Sequence, residues 1–347
     1  MSSDPVLDTA ETFRRIRGEI ARRIVGQNEV VTQLLVALLA EGHALIIGVP
    51  GLAKTLLVSS LAELLSLEFK RIQFTPDLMP SDITGASIIT DGGGAQDRGW
   101  RFLRGPIFAN IVLADEINRT PAKTQAALME AMEERQVTAA GRRLKMERPF
   151  FVLATQNPID QEGTYALPVS QTDRFLLSIA IDYPSAEEEF EILERTTSAY
   201  ESSLAPILDR AAVLAAIAAS KRIAVAEDIV GLATRIVRRT RPLDPLAPPF
   251  VRDELAWGAG PRGVIALLDG ARALALLDGR FEATREDIFG IARPALRHRL
   301  ILSYAAEAEG IAPDTIVQRI LELEGFPKEE RPAEKPRRGW LRSLLRR

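Results

Sequence analysis

A lysine and a threonine, Lys54 and Thr55, close the run GVPGLAKT at positions 48–55. The run follows a short apolar stretch and precedes a helical pattern, which is the setting a phosphate-binding loop requires. Backbone amides of Gly48, Val49, Pro50, Gly51, Leu52 and Ala53 frame such a loop (proline 50 contributing shape rather than an N–H), and Leu56 continues it into the helix. Lys54 would neutralise charge on the β- and γ-phosphates of a nucleoside triphosphate. Thr55 would ligate magnesium through its hydroxyl, and the positive end of the helix dipole favours the same anion. Ala53 stands where the pattern GxxxxGK[ST] has its second glycine, and its methyl is expected to demand an ordinary backbone conformation there. Taken alone, the imperfect match also fits a structural turn.

Two adjacent carboxylates supply the next piece. Ile111, Val112, Leu113 and Ala114 form an apolar run that ends in Asp115 and Glu116. A buried strand of this kind delivers acids to the carboxyl edge of a sheet, beside a phosphate loop. Asp115 would hold the metal ion directly or through water, and Glu116 would polarise the attacking water. Two exposed turn carboxylates are the alternative. A second apolar run, 151–155, ends in Gln156, Asn157 and Pro158. Asn157 could orient water or touch the γ-phosphate, although asparagine before proline also forms turns.

The elements that must position these residues show in the periodicity. Phe13, Ile16, Ile20 and Ile24 recur at helical spacing up to Gly26, and a second apolar helix spans about 30–39. Residues 43–47 read as a buried strand, and Leu57, Leu61, Leu64 and Leu65 mark the face of the helix after the loop. Further strands at 70–74, 111–114, 150–155 and 175–181 alternate with helical or irregular stretches, which predicts an α/β fold with a parallel sheet and flanking helices. Residues 79–106 read as a hairpin with a polar, glycine-rich tip, or as a surface loop. Ser185 and Glu188 form a capping-box signature after Pro184, so the first domain is expected to end at 183. Helices at 213–220, 226–239, 264–277 and 288–304 follow, with Thr284 and Asp287 offering a helix start, and they predict a small all-helical second domain over 184–326. The remainder, 327–347, is a basic tail in which Trp340, Leu341, Leu344 and Leu345 are interleaved. It reads as solvated or weakly docked, with a membrane or partner contact as the alternative.

Composition narrows the function classes. The 347 residues carry 46% hydrophobic and 26% charged residues, enough for a sizeable core. A net charge of -3 gives no global reason to expect nucleic acid. Without cysteine there are no disulfides, thiolate metal sites or cysteine nucleophiles, and two histidines are too few for a zinc cluster. The amino end lacks a secretory pattern and no apolar run reaches membrane-spanning length, so the chain reads as cytoplasmic.

In this order the motifs resemble the AAA+ ATPases, and within them the MoxR family. GVPGLAKT, the stretch from Phe74 to Gly85, the stretch from Gly105 to Thr138, ATQNP and the stretch from Leu167 to Phe175 carry the resemblance. Alanine at position 53 fits that family's form of the loop. The resemblance implies an α/β ATPase core with a helical lid, a hairpin inserted in its second helix, ATP and magnesium as cofactors, and a homo-oligomeric ring, most often a hexamer. It also implies an arginine reaching a neighbour's nucleotide. Arg174 matches that place and Arg119 is a second candidate, with ordinary surface ion pairs as the alternative for both. The GAGPRG run at 258–263 looks like the family's sensor-2 region, so Arg262 is expected to reach the γ-phosphate in cis. Val25, Gly26 and Gln27 resemble the segment that meets the adenine base, although Gly26 could simply end a helix. The implied activity is chaperone-like remodelling, assembly or activation of client complexes, with von Willebrand factor A domain proteins as partners. A slow, nucleotide-regulated scaffold is the alternative. A DNA-dependent motor is disfavoured, because the hairpin tip is not a basic cluster with stacking aromatics.

Overall fold

The computed structural model describes residues 4–91, 98–139, 141–157, 164–197 and 204–327. The hairpin tip at 92–97, Pro158 and the basic tail from 328 onward lie outside the described residues.

The chain opens with α1 (Pro5–Arg23) and α2 (Asn28–Leu39). Asp4 caps α1 by accepting from the Val6 amide at 2.9 Å, and Pro5 at the first position gives up no needed donor. Helix α1 stops at Arg23 with Ile24 extended, earlier than the expected stop at Gly26. Gly26 (φ 66°) and Gln27 (φ 58°) both take left-handed backbone and turn the chain into α2.

Next come β1 (Ala44–Gly48), α3 (Lys54–Leu64), β2 (Phe69–Gln73) and the short α4 (Pro80–Thr84). The antiparallel hairpin β3 (Gly85–Asp91) and β4 (Arg98–Arg104) follows, running from Gly85 opposite Arg104 to Asp91 opposite Arg98. Gly85 has φ 93°, and a Cβ there would lie 2.1 Å from the Leu103 carbonyl oxygen, so only glycine fits at the base of the hairpin. The core resumes with β5 (Ile111–Asp115) and α5 (Ala122–Glu134). A second hairpin, β6 (Gln136–Ala139) with β7 (Arg142–Lys145), was not expected from the sequence. Then come β8 (Phe151–Gln156), α6 (Val169–Thr172) and β9 (Leu177–Ile181).

Strands β2, β5, β8, β1 and β9 form, in that order, one parallel sheet. Alternation along β5 shows why it is buried on both faces. Ile111 and Leu113 join the apolar cluster with α1, α2 and α3, while Val112 and Ala114 join the opposite cluster with Leu128, Met129 and Phe175. The register sets Gln73 beside Asp115 and Ile47 beside Gln156. The last residues of β2, β5, β8 and β1 therefore share one carboxyl edge, where ligands of open α/β sheets bind.

Past β9, Ser185 and Glu188 exchange the expected capping bonds ahead of α7 (Ala186–Thr197). The helices α8 (Arg210–Ser220), α9 (Glu227–Arg239), α10 (Pro249–Glu254), the strand β10 (Leu255–Trp257), α11 (Pro261–Leu277) and α12 (Arg285–Leu296) complete most of the remainder. Thr284 and Asp287 form the anticipated capping box. The single helix expected over 288–304 does not form. Helix α12 ends at Leu296, and after a tight turn β11 (Ile301–Leu302) pairs antiparallel with β10 before α13 (Tyr304–Glu309) and α14 (Pro313–Leu323). One apolar cluster runs from α1 and α2 through α8, α9, α11 and α12, so the two ends of the chain share a core. No helix among the described residues is long and apolar enough to cross a membrane.

Candidate active site

The turn between β1 and α3 builds one wall of a cleft of about 520 Å³. A Cβ on Gly48 would fall 2.8 Å from the Ile181 carbonyl oxygen, so glycine lets β1 lie close to β9 at the root of the loop. Gly51 has φ 87° with open space in front of it. Ala53 has φ 52° and ψ 23°, which overturns the expectation of ordinary backbone there. The loop's path, fixed by strand and helix on either side, forces the alanine into the left-handed region at a cost of about 1–2 kcal/mol.

Lys54 donates from Nζ to the Gly48 carbonyl at 2.6 Å, tying the end of the loop to its start. Burial pulls its pKa below the usual lysine value, while Asp115 and Glu116 oppose that shift by favouring the cation. Across the cleft, Asp115 is held from both sides. Thr155 Oγ1 donates to its Oδ1 at 2.6 Å, and Arg71 donates to its Oδ2 from Nε at 3.1 Å and from Nη2 at 2.6 Å. Glu116 takes left-handed backbone (φ 56°), and its amide donates to Thr155 Oγ1 at 2.9 Å. Its Oε2 accepts from Gln73 Nε2 at 3.0 Å and from Arg119 Nη1 at 2.9 Å.

Of the residues proposed from sequence, Pro50, Gly51, Leu52, Ala53, Lys54, Thr55, Leu56, Asp115, Glu116 and Asn157 line this one cleft. Gly48 and Val49 form the base of the loop. Gly26 and Gln27 do not line the cleft. Gly26 faces the Glu188 carboxylate and Gln27 starts α2. Arg119, considered for a contact between subunits, pairs with Glu116 of its own chain.

Arg174 and Arg262 are also absent from the cleft lining and are brought together elsewhere. Glu133, near the end of α5, accepts from Arg174 Nη2 at 2.8 Å and from Arg262 Nη2 at 2.6 Å. Arg174 also donates to the Met129 carbonyl at 3.0 Å, and Arg262 lies 3.6 Å from Asp173. Arg262, expected to reach the γ-phosphate in cis, is held here by Glu133 at the end of α5 and by Asp173.

Sequence reasoning missed Arg71, Gln73 and Thr155. Arg71 and Gln73 are two apart on β2 and so share a face. Thr155 is a 1% exposed hydroxyl inside an apolar strand, and a buried polar group of that kind needs a partner. Thr155 was the legible one of the three.

The donor set fits a magnesium nucleotide. An open-faced glycine and a left-handed turn let successive amides converge on phosphate, a half-buried lysine sits at the loop's end, and a hydroxyl and a carboxylate stand in the same cleft.

Residues 43–177 match the ATPase family associated with various cellular activities (AAA), and residues 250–320 match the AAA lid domain. Chaperone MoxR1 of Mycobacterium tuberculosis is 42% identical over 317 residues, which cover 91% of this chain and 83% of that protein. The uncharacterized protein YeaC of Bacillus subtilis is 41% identical over 89% of this chain and 92% of its own. Protein MoxR of Methylorubrum extorquens is 30% identical over 89% and 93%. A crystal structure of a presumed ATPase from Cytophaga hutchinsonii superposes with a TM-score of 0.85 at 38% identity, covering 92% of this chain and 96% of that one.

Proposed function

The chain belongs to the MoxR family of AAA+ ATPases, and on that premise we propose that it binds ATP with magnesium in the Lys54 cleft and hydrolyses it within a ring of its own copies. The observation that carries this reading is the division of the site. Lys54, Thr55, Asp115, Glu116 and Asn157 line one cleft, whereas Arg174 and Arg262 are gathered on Glu133, outside it. A second copy would bring the arginines to the cleft.

The roles follow from charge and reach. The loop amides and Lys54 bind the phosphates; Thr55 and Asp115 would hold the metal. Magnesium, when bound, supplies positive charge that neutralises the phosphate oxygens. Glu116, which accepts hydrogen bonds from Gln73 and Arg119, would take a proton from water, and Asn157, lining the same cleft, would orient that water. Arg174 and Arg262 act in trans, where preorganised positive charge stabilises the transferring phosphoryl group. The proposed core spans 1–183 and the proposed helical lid 184–326. The family further supports a hexamer and chaperone-like remodelling, assembly or activation of client complexes, including proteins with von Willebrand factor A domains.

The test is ATP turnover by wild type, Glu116→Gln, Arg174→Ala and a mixture of the two variants, with molar mass followed in the presence of ATP. Each variant alone should lose about 100-fold or more in kcat while still binding nucleotide. The mixture should recover activity, because Glu116→Gln subunits still present an intact Arg174 to Arg174→Ala sites. Wild-type turnover by Glu116→Gln would remove its assigned role, and a mixture no faster than its parts would remove action in trans.

A further inference from the structure

We propose that Arg299 is a positioning residue that fixes Arg174 from the C-terminal helical region, so that this region sets the aim of the arginine presented to a neighbouring site. The inference rests on the trans reading of Arg174 above.

Arg299 is 3% exposed and lies just beyond the end of α12. Burying a guanidinium is expensive unless its donors are all used, and a hydrophobic side chain would pack there more cheaply. Its donors go to the segment that carries Arg174. Nε donates to Asp173 Oδ1 at 2.8 Å, Nη2 to the Asp173 and Phe175 carbonyls at 3.2 and 2.8 Å, and Nη1 to the Leu176 carbonyl at 3.2 Å. The remaining bond, from Nη1 to the Ala295 carbonyl, ties the same fork back to α12.

The carbonyls immediately before and after Arg174 are therefore both taken by one planar group. Its neighbour reinforces the grip. His298 Nε2 lies 3.1 Å from the Phe175 carbonyl, and Thr172 Oγ1 donates to the His298 carbonyl at 3.3 Å. Burial and the flanking Arg299 and Arg297 push His298 well below the usual histidine range, so the ring is neutral and Nε2 carries a proton to donate. On the other side of the cluster, the second oxygen of Asp173 faces Arg262, which shares Glu133 with Arg174. A shift of the α12 end would carry the 173–176 backbone with it, since four of the five bonds would otherwise break together.

Arg299→Lys keeps the charge and loses the fork. In the full chain it should leave affinity for a fluorescent ATP analogue within about twofold, leave KM nearly unchanged, and lower kcat on the order of 10- to 100-fold, the scale of a misplaced group. Mixing it with Glu116→Gln subunits should restore turnover, because those neighbours present a properly held Arg174. The double variant Arg174→Ala/Arg299→Lys should turn over no more slowly than Arg174→Ala alone. His298→Ala, which removes one bond, should lower kcat by a smaller factor in the same direction and serves as the probe if the lysine variant does not fold.

Wild-type kcat in both Arg299→Lys and His298→Ala overturns the proposal. So does a further loss from Arg299→Lys on top of Arg174→Ala, which would mark a general structural role. If Arg174→Ala itself is not rescued by Glu116→Gln, it is the trans reading that fails, and the double variant still decides whether Arg299 acts through Arg174.

Discussion

Arg71 holds the carboxylate proposed to take the metal. Two of its donors are spent on Asp115 Oδ2, the shorter at 2.6 Å, while Asp115 is only 13% exposed and Arg71 is 48% exposed. A cation that would use Asp115, directly or through water, has to displace that guanidinium or share the carboxylate with it. Two unit charges about 4 Å apart attract by roughly 1 kcal/mol in water and roughly 4 kcal/mol at the effective dielectric of a partly buried pair. Because the guanidinium is half in solvent, the lower end applies, about 1 kcal/mol or a factor of about five. In Arg71→Ala the ratio of ATP affinity with magnesium to ATP affinity with chelator should therefore rise about fivefold. Metal-free ATP and ADP should bind more weakly, since one positive charge has left the cleft, and Arg71→Lys should fall between. Titration calorimetry at fixed ionic strength measures both affinities, and taking their ratio cancels the loss of general attraction to phosphate. A ratio that stays constant or falls in Arg71→Ala would show that the Arg71–Asp115 pair does not compete with the metal.

Two further tests address the fold that holds the site. Ala53→Gly should relieve left-handed strain of about 1–2 kcal/mol, offset by about 0.5–1 kcal/mol for the added freedom of glycine in the unfolded chain. With an unfolding entropy of about 0.7 kcal/mol/K for a chain of this length, Tm should rise by about 1 °C in scanning calorimetry, and a fall would refute the strain. His43 is buried and its pKa is lowered to about 4, chiefly by burial and against the hydrogen bond to the Met132 carbonyl. The Val152 amide donates to His43 Nδ1 at 3.0 Å, which a protonated ring could not accept. The unfolded chain binds this proton first, near pH 6.5, so the contribution is complete above that value and is lost as pH falls toward 4. About 3 kcal/mol should disappear across that window in denaturant titrations, and His43→Gln should flatten the slope. An unchanged slope in the variant would assign the loss to other groups.

What the sequence made legible was whatever is local along the chain. An apolar run, a glycine-bearing turn and a helical pattern are contiguous at 44–64, and an apolar run ending in Asp115 and Glu116 needs no partner to be read. Arg71 and Gln73 escaped because their meaning lies 44 and 43 residues away, across the pairing of β2 with β5. Strand order, not periodicity, places Arg71 in the cleft and Gln73 against Glu116. The overlong helix at 288–304 failed for a related reason. Apolar residues continue through Leu300 and Ile301, but β11 is drawn into pairing with β10, some 45 residues earlier, and Arg299 turns into the 173–176 carbonyls. Ala53 shows the third kind of miss, in which tertiary path overrides the preference of a single residue.

Exposure also separates the arginines that can move from the one that cannot. Arg174 and Arg262 are 29% and 45% exposed, and both lean on a Glu133 that is itself 41% exposed. Surface pairs of that kind hold by no more than about 1 kcal/mol, so a neighbour's phosphates could take either guanidinium from Glu133 at little cost. Arg299, with 3% exposure and carbonyl partners on both sides of Arg174, has no comparable exit. Glu133 then acts as a counter-ion that keeps two mobile arginines soluble and close together, and Arg299 supplies the rigid base from which Arg174 reaches. An arrangement built only for stability would replace the exchangeable pairs with apolar contacts. Here the fixed contacts and the exchangeable ones fall on opposite sides of Arg174, as a group that must be held by its backbone and released by its side chain requires.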